Sequence, residues 1–118
     1  MLEVKESDWK LFRKRLPIWQ ENYMERLNQE YIQILSGDGL ASDKFWELEK
    51  RIYTDRKRVG MVEKMRRSQM LSNLVSLIND GAITETDLDG FSDELVEAVK
   101  HFAAAERAGL GEKLYERV

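Results

Sequence analysis

Apolar residues recur every three or four positions over a long stretch at the start of the chain, and this pattern constrains the fold more than any other. A helix turns once every 3.6 residues, so this spacing places the side chains on one helical face. Pro17 interrupts the series and has no amide hydrogen, so we expect the stretch to divide there, with Pro17 opening the longer helix. The apolar positions are Trp9, Phe12, Leu16, Trp19, Tyr23, Leu27, Tyr31 and Ile34.

A second amphipathic segment follows the glycine-containing stretch SGDGLAS, residues 36–42. The hydroxyl of Ser42 can accept a hydrogen bond from a free amide of the first turn, which predicts a helix that begins near Asp43. The pattern fades before Gly60, where we expect a turn or break. The apolar positions of this segment are Phe45, Leu48 and Ile52 on one face, with Trp46 and Tyr53 on an adjacent face.

Helical spacing returns from Met61 to Ile78, and Gly81 is expected to close this third helix. Thr84 precedes Asp87 by three positions, as in a capping box, which predicts a short helix near 84–90. Ser92 is expected to cap the last main helix, which presents Leu95, Val99 and Phe102 and ends before Gly109.

These segments predict an all-α fold, a compact bundle of four main helices plus the short helix near 84–90. The 118 residues suit one domain spanning 1–118, and we expect frayed ends at 1–6 and 109–118.

Composition excludes several classes of function. The chain has no cysteine, so it has neither a disulfide framework nor a thiolate nucleophile. No run approaches the roughly 18 apolar residues that cross a bilayer, and the first residues lack the apolar core of a signal peptide. We therefore expect a cytoplasmic protein without membrane contact.

The stretch NDGAITETDLDGFSDEL, residues 79–95, resembles a calcium-binding loop at its start. Glu85, Asp87 and Asp89 would occupy ligand positions one, three and five. The twelfth position, which supplies the bidentate glutamate, is Val96, and the eighth, which should be apolar, is Ser92. We therefore interpret these acids as helix-capping groups and predict neither metal nor cofactor.

No catalytic constellation accompanies these features. His101 is the only histidine, and its neighbours Glu97 and Lys100 offer no nucleophile. A glycine-rich phosphate loop is also absent from the sequence. We predict that the protein is not an enzyme.

Charge is unevenly distributed, with seven acids and no base at residues 79–97 and a basic segment at 50–67. A basic segment of this kind can contact phosphates, so nucleic-acid binding through 50–67 is the alternative function. The isoelectric point of about 5.3 argues against it. The preferred interpretation is a solvated or partner-binding face, with Arg56, Lys57 and Arg58 forming a solvated turn or partner surface.

Aromatic residues are abundant in the first half of the chain, and aromatic side chains are favoured anchors of protein interfaces. An unknown protein or a second copy of the chain is therefore the expected partner. The candidate partner surface consists of Trp46, Tyr53, Arg56, Lys57, Arg58, Arg66 and Arg67.

The stretches LPIWQENYMERLNQEYIQILSGDG, SDKFWELEKRI and LINDGAITETDLDGFSDEL resemble a family of small uncharacterised helical bacterial proteins. The similarity covers roughly residues 10–102, and members are often linked to mobile elements of gut bacteria. The resemblance implies no established activity and no catalytic residue. Some similar chains carry the label multidrug transporter, which conflicts with the missing membrane span. The sequence therefore predicts a non-enzymatic, soluble protein-interaction module, and the resemblance implies an accessory or regulatory factor of a mobile element.

Overall fold

Four α-helices and two 3-10 turns form the part of the chain that the computed structural model describes, residues 4–58 and 66–109. These residues contain no strand, which confirms the all-α prediction. The α-helices are α1 (Glu6–Ser36), α2 (Ala41–Asp55), α3 (Met70–Asn79) and α4 (Asp93–Arg107), and the 3-10 turns are Arg67–Gln69 and Glu85–Leu88.

Helix α1 runs through Pro17 without a break, so the predicted division at this residue is wrong. The ring of Pro17 is exposed, whereas Leu16 and Trp19 on either side are buried in the core. Their burial, at about 1.5–3 kcal/mol per large apolar side chain, offsets the roughly 3 kcal/mol that a proline costs inside a helix. Packing therefore keeps the two halves in one helix.

The apolar core lies between α1, α3, α4 and the connection from Ala82 to Phe91. Helix α2 contributes no residue to it. The buried core residues are Phe12, Leu16, Trp19, Tyr23 and Leu27 of α1, Met70, Leu74, Val75 and Leu77 of α3, Ala82, Ile83, Leu88 and Phe91 of the connection, and Leu95, Val99 and Ala103 of α4.

Helix α3 is shorter than the predicted segment from Met61 to Ile78. Arg66 has extended backbone dihedrals, with φ −96° and ψ 145°, and the α-helix begins only at Met70. The expectations for Gly60, Met61 and Met65 lie outside the described residues. Extended backbone at Arg66 separates α3 from the preceding sequence, which the apolar spacing did not show.

Gly81 ends α3 as predicted. Its φ of +77° lies in the left-handed region, which a side chain disfavours. The amide of Ala82 donates to the carbonyl of Leu77 at 2.9 Å, and the amide of Gly81 donates to that of Ile78 at 3.1 Å. These two bonds form a Schellman motif and turn the chain back towards α1.

The acidic connection between α3 and α4 contains the predicted caps. The carboxylate of Asp87 accepts from the Thr84 amide at 2.8 Å, which forms the capping box. Ser92 caps α4 by accepting from the Leu95 amide at 3.4 Å. The buried carboxylate of Asp8 accepts from the amide and hydroxyl of Ser92 at 2.9 and 2.6 Å, which joins the first turn of α1 to the start of α4.

Two arginines of α1 bind this connection through its backbone carbonyls. Arg26 donates to the carbonyls of Gly81 and Ala82 at 2.6 and 3.2 Å, and Arg15 donates to those of Asp87 and Asp89. The acidic stretch is thus held mainly by α1. None of the helices in the described ranges combines the length and apolar content needed to cross a bilayer.

The expected frayed ends fall largely outside these ranges, since residues 1–3 and 110–118 are not among the residues described. Glu6 already belongs to α1, and Gly109 follows the end of α4 with a φ of +83°.

Candidate interaction surface on the second helix

Helix α2 begins two residues before the predicted start at Asp43. Leu40 precedes it in an extended conformation, and no side chain caps the first turn, so the predicted cap at Ser42 is wrong. Ser42 is exposed and lies inside the helix instead. The position of α2 is set by contacts with α1 near its other end.

These contacts are polar and centre on Asp55, which is only 1% exposed. The hydroxyl of Tyr31 donates to Asp55 Oδ2 at 2.7 Å, and Arg51 Nη2 lies 3.4 Å from the same oxygen. Arg58 Nε lies 3.3 Å from Oδ1, an ion pair without hydrogen-bond geometry. A buried carboxylate requires such partners, because its desolvation is otherwise costly.

The partners of Asp55 make further contacts with α1. Arg51 also pairs with Glu30 at 3.2 Å, and Arg58 Nη1 donates to the Tyr23 hydroxyl at 3.3 Å. Burial, together with the hydrogen bond to Asp55, raises the pKa of Tyr31 to about 12. The hydrogen bond to Tyr23 raises the pKa of the Arg58 guanidinium above its usual range. The inward face of α2 therefore carries charged side chains, with Asp55 paired to Arg51 and Arg58.

The outward face of α2 is apolar and uncovered. Phe45 is 60% exposed, Trp46 63%, Ile52 43% and Tyr53 51%. Of the residues of α2, all of which are described, only Asp55 is buried. Amphipathic helices in globular proteins normally turn their apolar face to the core, so α2 is reversed.

An open groove of about 390 Å³ runs along this outward face. We call it the α2 groove, and its lining residues are Phe45, Leu48, Glu49, Ile52, Tyr53 and Arg56. The rings of Phe45 and Trp46 meet edge to face with centroids 5.0 Å apart. The guanidinium carbon of Arg56 and the ammonium of Lys57 lie 5.1 and 3.8 Å from the ring centroid of Tyr53.

The structure brings together four of the seven predicted surface residues and separates the other three. Trp46, Tyr53, Arg56 and Lys57 lie on α2 or directly after it and are exposed. Arg58 points towards the buried Asp55, with which it pairs, while 41% of its side chain stays exposed. The charge of Asp55 holds it there.

Arg66 and Arg67 belong to another part of the molecule. Arg67 pairs with Glu6 and donates to the Val4 carbonyl at 3.2 Å, and Arg66 beside it is exposed. Arg58 contacts α1 at Tyr23, whereas Arg67 contacts it at Glu6. These two residues of α1 are 17 positions apart, which corresponds to about 25 Å along the helix. The described basic residues of the segment 50–67 therefore do not form one patch.

Sequence reasoning missed Asp55 and assigned Tyr31 to the apolar series. A signal was present, because Asp55 lies four residues after Arg51 and three before Arg58, spacings that bring side chains together on a helix. Nothing in the sequence showed that this charged face would meet α1.

No group of three or more His, Cys, Asp or Glu side chains in residues 4–58 and 66–109 is arranged to hold a metal ion. His101 is exposed on α4, with its ring 5.3 Å from that of Phe102.

No protein-family model, curated protein or solved structure matches the chain.

Proposed function

We propose that the protein is a cytoplasmic, non-enzymatic protein-interaction module that binds its partner along the α2 groove. The observation that carries this proposal is the reversed orientation of α2, whose charged side faces α1 while Phe45 and Ile52 face solvent. Fully burying a large apolar side chain contributes about 1.5–3 kcal/mol, and covering a side chain that is about half exposed contributes roughly half as much. Binding of a partner over the groove is therefore favourable, because it removes this apolar surface from water.

The composition of the groove also supports a protein partner. Aromatic side chains and arginine are enriched at the centres of protein interfaces, and Phe45, Tyr53 and Arg56 line this one. With the resemblance to proteins linked to mobile elements, this supports an accessory or regulatory factor that acts by binding. Nucleic-acid binding has less support, because Arg58 and Arg67 are engaged in ion pairs within the fold.

An affinity capture from the native host with matched baits tests the proposal. The baits are the parent protein, Phe45→Ser in the groove and Ile18→Ser on α1, where Ile18 is also 60% exposed but does not line the groove. We expect a protein captured by the parent and by Ile18→Ser to be lost from Phe45→Ser, and nuclease treatment to leave the capture unchanged. Loss after nuclease treatment, or equal capture by all three baits, would contradict the proposal.

A further inference from the structure

We infer that the α2 groove binds a second copy of this chain, with the two α2 helices antiparallel and Glu49 of each copy facing Arg56 of the other. This inference rests on the proposed function, because it names the partner of the same surface. Glu49 and Arg56 line the groove together with Ile52 and Tyr53.

The order of these four residues along α2 is self-complementary. Glu49 and Arg56 are seven positions apart, two helical turns or about 10 Å, and so project from the same face. A two-fold axis between Ile52 and Tyr53 brings Glu49 of one copy opposite Arg56 of the other, and the same contact recurs on the other side of the axis. Ile52 and Tyr53 of both copies then meet at the centre, where water is excluded.

The wider charge distribution of α2 favours the same direction. Its exposed acids all precede its exposed bases along the chain, so antiparallel helices place opposite charges against each other. The acids are Asp43, Glu47 and Glu49, and the bases are Lys50, Arg56 and Lys57.

Within the described part of the fold these charges have no oppositely charged partner, although Arg56 and Lys57 lie against the ring of Tyr53. None of the six forms an ion pair with another described residue. The helix dipole accounts for charges only in the first and last turns, so it does not explain Glu47, Glu49 and Lys50 in the middle of α2.

The exposed apolar area on and beside α2 is also of the size that a dimer interface buries. Leu40, Phe45, Trp46, Ile52 and Tyr53 are between 43% and 68% exposed. At about 100 Å² each, they expose roughly 500 Å², near the upper end of the largest patches on monomers. With the groove-lining Glu49 and Arg56 and neighbouring polar atoms, this approaches the roughly 800 Å² that each partner buries in a standard interface.

Sedimentation equilibrium with charge-reversal variants tests the inference. We expect the parent to have twice the mass of one chain. Glu49→Arg and Arg56→Glu should each weaken the dimer at least about tenfold, because each places like charges opposite each other twice. The double variant Glu49→Arg/Arg56→Glu should return to within about threefold of the parent, since it restores both pairs with the signs exchanged.

Glu47→Arg is the matched control, because Glu47 is an exposed acid of α2 that does not line the groove. It should weaken the dimer less than Glu49→Arg does. Far-UV circular dichroism of each variant checks that the helices remain, and recovery in the double variant separates a lost contact from a damaged fold.

A parent that is monomeric at about 100 µM, or a double variant no better than either single one, would overturn the inference. This inference can fail while the proposed function holds. If the parent is monomeric but Phe45→Ser still loses a captured protein that Ile18→Ser retains, the second copy is wrong and the groove remains a protein-binding site.

Discussion

Asp55 determines which way the residues around it face. Its carboxylate is buried against α1, and Tyr31, Arg51 and Arg58 supply the partners that a buried charge requires. Arg56, between Asp55 and Arg58 in sequence, is exposed and lies against the ring of Tyr53. Neighbouring residues in one basic run thus have different roles, according to whether they reach this carboxylate.

Replacing the three basic residues at 56–58 should therefore have unequal effects on stability. We expect Arg58→Gln to lower the free energy of unfolding by about 1–2 kcal/mol, because it leaves Asp55 Oδ1 without its ion pair. Arg56→Gln and Lys57→Gln should each change it by less than about 0.5 kcal/mol. Urea unfolding followed by circular dichroism measures all three at a protein concentration low enough for the chain to be monomeric, so that dimer contacts do not contribute. Equal effects would show that Asp55 does not depend on Arg58.

Tyr31 should make stability depend on pH in the alkaline range. Its pKa rises from 10.0 to about 12 in the folded protein. Below pH 10 the hydroxyl is protonated in both states, but between pH 10 and about 12 the unfolded chain loses the proton first. Stability contributed by this group is therefore fully present below pH 10 and is lost as the pH rises towards 12.

The parent should lose about 1–2 kcal/mol more than Tyr31→Phe over this range, after allowance for solvent screening. The comparison removes the contribution of the other groups that titrate at high pH. Urea unfolding of both proteins at several pH values measures the difference, and parallel pH profiles would contradict the assigned hydrogen bond.

At the scale of the element, contacts with other helices affect α1 and α2 in opposite ways. In α1 the core on both sides of Pro17 maintains a helix that the proline alone would interrupt. In α2 the contacts with α1 are polar, and they hold an apolar face in solvent. The apolar period predicted both helices, whereas their orientation followed from their neighbours.

Pro17→Ala should stabilise the protein. The side chain of Pro17 is exposed, so the change removes no core contact, and alanine restores an amide that can donate within the helix. We expect the free energy of unfolding to rise by about 1–3 kcal/mol. Urea unfolding measures the gain, with Lys14→Ala at another exposed position of α1 as the control. A loss of stability would mean that the helix around Pro17 has a geometry that alanine does not favour.

For the whole molecule, the position of the charges matters more than their number. The net charge is −3, and the basic segment is divided between the end of α2 and the start of α1. A strong phosphate-binding surface needs several cations on one side, because affinity grows with the number of phosphates neutralised. The fold separates the cations that the sequence places together.

We therefore expect no submicromolar binding to mixed single- and double-stranded DNA or RNA in gel-shift titrations at about 0.1 M salt. The doubly substituted Arg56→Gln/Lys57→Gln protein serves as the comparison, since both residues are exposed and outside the Asp55 cluster. Tight binding by the parent that this variant loses, and that falls steeply with added salt, would favour the nucleic-acid alternative.

The sequence by itself predicted the helical class, the turn at Gly81, the capping box at Thr84 and the cap at Ser92. These features depend on contacts within a few residues, and local spacing and backbone preference are visible in a sequence. The continuous helix through Pro17 was not visible, because it depends on packing against distant segments. The extended backbone at Arg66 was not visible either, since no glycine or proline marks it.

Only the tertiary structure decided which face of α2 meets α1. Both faces of this helix have a helical period, one apolar and one charged, and hydrophobicity alone favours burial of the first. Tyr31 and Glu30 of α1 instead offer partners to Asp55 and Arg51, and these long-range contacts turn the charged face inward. The exposed groove along Phe45 and Ile52 is the consequence, so the candidate site depends on a pairing between residues more than twenty positions apart.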